Sequence, residues 1–85
     1  MPEHGIPEGA ISREDIAELA VLFDSFEYAL DPLSVAAKRA ESAFEDRVLM
    51  LFRERVEPAY RTVSFAAFRA RVKTLCREFL RKNAP

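Results

Sequence analysis

After Gly9 the chain runs to its end without another glycine, and between Pro7 and the terminal Pro85 proline occurs only at Pro32 and Pro58. So little glycine suits a folded helical chain rather than a disordered one. Each internal proline disfavours helical geometry in the residue before it and lacks an N–H to donate. The two prolines therefore divide the chain into three segments, and apolar residues recur at helical spacing in each.

Ser12 opens the first segment as an N-cap, with Asp15 where a capping box places its acid and Ile11 and Ile16 at the spacing of a hydrophobic staple. Ile16, Leu19, Ala20, Phe23, Phe26 and Leu30 form one stripe, which predicts a helix over about 13–30. Val21, Leu22, Tyr28 and Ala29 fall off that stripe, so the helix is apolar nearly all round and needs more than one neighbour.

Asp31-Pro32 reads as an N-cap followed by proline at the first helical position, and Pro58 as the stop. These bounds predict a second helix over 32–57, about 39 Å long, with the stripe Leu33, Ala37, Ala40, Phe44, Val48, Leu51. Leu49, Phe52 and Val56 lie off that stripe at 100° per residue and form a second apolar shoulder. Ser64 caps the third helix, predicted over 65–82, with Val63 and Phe68 at staple spacing and the seam Phe65, Phe68, Val72, Leu75, Phe79.

The fold class that follows is all-α: a small antiparallel three-helix bundle over residues 12–85, preceded by a loose arm over 1–11 that holds Pro2, Gly5, Pro7 and Gly9. A chain of 85 residues buries roughly 60–65% of its unfolded surface, so its core is modest and a second copy would add to it. The start of the chain does not read as a signal peptide, and its apolar runs are too short to span a membrane. One cysteine, Cys76, forms no internal disulfide, which makes a cytoplasmic location the expectation.

Charge is segregated along the chain. Residues 1–31 hold eight acids against Arg13 alone, a balance of −7, and residues 58–85 hold seven basic residues against Glu78, a balance of +6. In the third helix Arg69, Lys73, Arg77 and Arg81 step at intervals of four and form a band beside the apolar seam. The acids Asp24, Glu27 and Asp31 of the first helix are its natural complement if the two helices pack together.

Catalytic and ligand-binding patterns are not legible. Zinc sites need four nitrogen or sulfur ligands at close spacing, whereas the chain has one histidine, His4, and one cysteine. Cys76 stands among Leu75, Phe79 and Leu80, the surroundings of a core thiol rather than a nucleophile. The pairs Asp24/Glu27 and Glu41/Glu45 share helix faces but read as solvated or as partners of the basic helix. A calcium loop opening at Asp24 fails at its third, fifth, sixth and twelfth places, which hold Phe26, Tyr28, Ala29 and Val35.

The expected function is a small, non-catalytic protein–protein interaction module without cofactor or metal, acting as a homodimer or as an adaptor that regulates another protein. Its expected apolar contact residues are Val21, Tyr28, Leu49, Phe52 and Val56, and its basic contact face is Arg69, Lys73, Arg77 and Arg81. Nucleic-acid binding through the basic face of the third helix ranks second. The sequence pI of 5.8 and the acidic half oppose it, and that helix lacks the Asn, Gln and Ser that read base edges.

Overall fold

Ser12 and Asp15 close a reciprocal capping box. The Ser12 hydroxyl accepts the Asp15 N–H at 3.1 Å, and the Asp15 carboxylate accepts the Ser12 N–H at 3.0 Å. The computed structural model describes residues 10–83 and sets three helices in order: α1 Arg13–Glu27, α2 Val35–Leu51 and α3 Phe65–Lys82. Most of the expected arm lies outside the described residues. At its end Ala10 is buried in the core, and Ile11 packs against it.

α1 is the central element and packs along both other helices. α2 runs antiparallel to it. Phe44 meets Phe23 and Phe26 near one end, with ring centroids 5.6 and 5.3 Å apart, while Arg47 reaches Glu18 and Asp15 near the other. The second half of α3 lies across α1. Leu75, Phe79 and Lys82 share a groove with Ile11 and Ile16, whereas Arg77 and Arg81 on the opposite flank line one with Tyr28. Two small residues without exposed surface, Ala20 on α1 and Cys76 on α3, belong to this core and suit a close approach.

The first connection differs from expectation. α1 ends at Glu27 rather than Leu30, and α2 starts at Val35 rather than Pro32. Two cap signals compete over Asp31–Ser34. Asp31 turns locally, its carboxylate accepting the Leu33 N–H and its carbonyl the Ser34 N–H, both at 3.0 Å. Ser34 then caps α2 by accepting the Ala37 N–H at 3.1 Å. Leu30 and Leu33, expected on the inward stripes, consequently stand in solvent.

The end of α2 differs too. Phe52–Val56 form one π-helical turn, in which the Glu57 N–H reaches back five residues to the Phe52 carbonyl at 2.8 Å. Pro58 has no N–H, so Glu57 carries the last donor before the chain leaves the helix. At α-helical spacing the stripe Phe44, Val48, Leu51 would continue to Arg55. The wider turn gives that inward position to Val56 and moves Arg55 to the edge, where it pairs with Asp15.

The assignment of Phe52 and Val56 to an apolar contact shoulder is overturned, since both are core residues: the wide turn carries Val56 inward, and α3 covers Phe52. Phe52 packs on Phe65 and Phe68 at 5.4 and 5.7 Å and joins the end of α2 to the start of α3. Val63 also packs against the core beside buried Phe68, in keeping with its expected place at the start of α3.

Among the described residues every buried side-chain nitrogen and oxygen has a hydrogen-bond partner. No helix among them is long and apolar enough to cross a membrane.

Candidate interaction surface

The connection YALDPLSV, residues 28–35, concentrates apolar side chains in solvent. Leu30 is 105% exposed, Leu33 76%, Val35 66% and Tyr28 57%. The local turn produces this arrangement: it lifts Leu30 and Leu33 out of the helical register that would have buried them. Tyr28 is anchored on its inner side, its ring edge-on to Phe23 at 6.2 Å, and turns the rest of its surface outward.

Helical geometry assigns a charge to each side of the turn. Asp24 shares a face of α1 with Tyr28 four residues on, and Lys38 and Arg39 share a face of α2 with Val35. Asp24, Lys38 and Arg39 are exposed, and none has an ion-pair partner among the described residues. The turn itself carries exposed Asp31 between Leu30 and Leu33, so charged side chains lie within the apolar stretch as well as on the helices beside it.

The expected contact residues fall in different places. Val21 and Tyr28 are exposed, Leu49 is half-buried, and Phe52 and Val56 lie in the core. Leu30, Leu33 and Val35 were missed by stripe reading alone. Asp31-Pro32 followed by Ser34 was the available signal, since Asp-Pro favours turn initiation.

Much of the α3 basic band answers charges within the chain. Arg69 forms a fork with Glu45 of α2 at 2.7 and 2.6 Å, so of the two readings offered for the Glu41/Glu45 pair Glu45 takes that of a partner of the basic helix. The Arg69 hydrogen bonds hold the Glu45 carboxyl below its ordinary 4.5 despite the opposing effect of burial, with smaller help from the charges of Arg69 and Lys73. Arg77 lies 3.3 Å from Glu27, as the complementarity of α1 and α3 suggested, and 5.3 Å over the Phe23 ring. Asp24 and Asp31 take no part in this pairing; Lys73 and Arg81 have no ion-pair partner among the described residues.

Two titratable groups lie deeper. Burial pushes the Asp15 carboxyl up, but the Ser12 N–H, the Arg55 guanidinium and the Ser12 hydroxyl outweigh it and leave the group below its ordinary 3.8. Burial pushes the Cys76 thiol up to about 11, against a weaker opposing effect of Arg77. This thiol is a core group held in its protonated form. Among the described residues no three His, Cys, Asp or Glu side chains are grouped to hold a metal ion. No family model matches the chain, and neither the curated proteins nor the solved structures include a match to it.

Proposed function

We propose that this chain is a small, non-catalytic helical interaction module, and that its contact surface is the apolar turn 28–35. The observation that carries the reading is the exposure of Tyr28, Leu30, Leu33 and Val35 within eight consecutive residues. Large apolar side chains clustered in solvent mark contact sites, because covering them removes apolar surface from water. Engagement of Arg69 and Arg77 by Glu45 and Glu27 supports this reading over nucleic-acid binding, since those cations are already neutralised in part. A cytoplasmic location belongs to the proposal and is supported by the single buried thiol.

Affinity capture with the full chain tests it, the wild type being compared with Leu30→Asp/Leu33→Asp. The expected result is a protein, or a second copy, retained by the wild type and lost by the variant while helicity by circular dichroism is unchanged. Equal retention by both chains contradicts the reading. Duplex or single-stranded DNA binding that falls steeply with salt, and survives the turn variant, favours the basic face instead.

A further inference from the structure

We infer that the protein partner anchors a tryptophan side chain in the groove between Tyr28 and the second half of α3. The inference rests on the contact-surface reading, because Tyr28 belongs both to the exposed turn and to this groove. The groove has a volume of about 670 Å³ and is lined by Tyr28, Thr74, Arg77, Glu78, Leu80 and Arg81.

Two of its lining groups are planar and are already fixed by one core ring. The Arg77 guanidinium lies 5.3 Å over Phe23 and is held by Glu27 at 3.3 Å, while the Tyr28 ring stands edge-on to Phe23 at 6.2 Å. Phe23 itself has no exposed surface, yet about half of Arg77 and of Tyr28 remains open to solvent. Groups fixed in advance lose little freedom when a ring is laid against them.

The chemistry of the lining selects the occupant. Arg77 and Arg81 stack on an aromatic face, and Leu80 adds apolar contact. Glu78 has no ion-pair partner among the described residues, and its carboxylate accepts an indole N–H, which a phenylalanine ring lacks. An acidic side chain would meet Arg77 and Arg81 but also Glu78 and Glu27, and a basic one the reverse. An indole answers both signs without bringing a charge, and it is the strongest of the aromatic partners for a cation. Tryptophan is also among the residues that dominate the binding energy of protein interfaces.

The chain has no tryptophan, so every indole signal in a mixture belongs to the probe. The full labelled chain is titrated with N-acetyltryptophanamide to ~10 mM and followed by amide NMR and by saturation transfer to the indole. Shifts are expected at Tyr28, Thr74, Arg77 and Arg81, with a Kd on the order of 1 mM because one anchor alone binds weakly. Arg81→Gln and Glu78→Ala are each expected to weaken binding at least ~3-fold, with circular dichroism showing that both variants are folded.

No shift with the indole probe overturns the inference. N-acetylleucinamide bound as tightly makes the groove merely apolar, and N-acetylaspartic acid α-amide bound more tightly makes it an anion site; either result overturns it too. The capture experiment separates this from the turn. If no indole binds but Leu30→Asp/Leu33→Asp still loses a captured protein, the contact-surface reading stands without the anchor. If indole binds and the turn variant retains every partner, the anchor stands and the turn reading falls.

Discussion

Arg55 of the π-helical turn donates to the carboxylate of Asp15, the residue that closes the cap of α1 from 40 positions away in sequence. The bond joins the start of the first helix to the end of the second. It follows from the extra residue in the π turn, which moves Arg55 off the inward stripe and leaves that place to Val56. Asp15 also lies 3.8 Å from Arg47, so one buried acid serves a cap and two arginines.

Replacing Asp15 by Ala removes the acid's half of the capping box and its contacts to two half-exposed arginines while the Ser12 hydroxyl still caps the helix, and is expected to cost about 1–2 kcal/mol in urea unfolding followed by circular dichroism. Arg55→Ala removes one half-exposed partner and is expected to cost about 1 kcal/mol or less. Equal losses from the two changes would show that the Asp15 bond back to the Ser12 N–H contributes little.

Acid weakens the same contacts. Asp15 and Glu45 both titrate in the folded chain below their ordinary 3.8 and 4.5. A depressed folded pKa contributes stability that is present above the unfolded value and is lost as pH falls through the folded one. Unfolding free energy is therefore expected to fall as pH drops below about 4.5, and Asp15→Asn/Glu45→Gln should flatten that slope. An unchanged slope would place the acid-sensitive groups elsewhere.

The π turn makes a sharper prediction about length. Deleting exposed Glu54 removes the extra residue, lets the helix close with α-helical bonds and keeps Val56 facing inward, so the fold survives with a loss of about 1–2 kcal/mol. Deleting Ser42, also exposed, turns the rest of α2 by about 100° and is expected to unfold the chain. Thermal unfolding of the two deletions separates these outcomes.

Three helices, both reciprocal bonds of the first cap and the bounds of α3 at Phe65 and Lys82 were legible in the sequence, because each depends on residues within a turn or two of one another. So was the Arg77–Glu27 complement, through the opposite charges of the first and third segments. The π turn was not, since stripe reading assumes 100° per residue and one wide turn carries Val56 inward, while Phe52 keeps its helical place and is covered by Phe65 and Phe68 of α3. The exposed turn was hidden for a different reason. Asp31 and Ser34 are both good caps, and only the folded chain shows that Ser34 caps α2 while Asp31 turns back on Leu33.

Phe52 and Leu30 therefore exchange the roles that stripe reading assigned them. Phe52→Ala is expected to cost about 3–5 kcal/mol, and Leu30→Ala less than about 0.5 kcal/mol, in the same denaturation assay. A mild Phe52→Ala would return that side chain to the list of contact candidates.

The central claim, that the turn 28–35 is a contact surface, is tested most directly by amide NMR of the labelled chain as the protein that the full chain captures is added. Shifts are expected at Tyr28, Leu30, Leu33 and Val35, with the amide of Arg71 on α3 unmoved. Shifts confined to α3, or a spectrum that does not change, would contradict it.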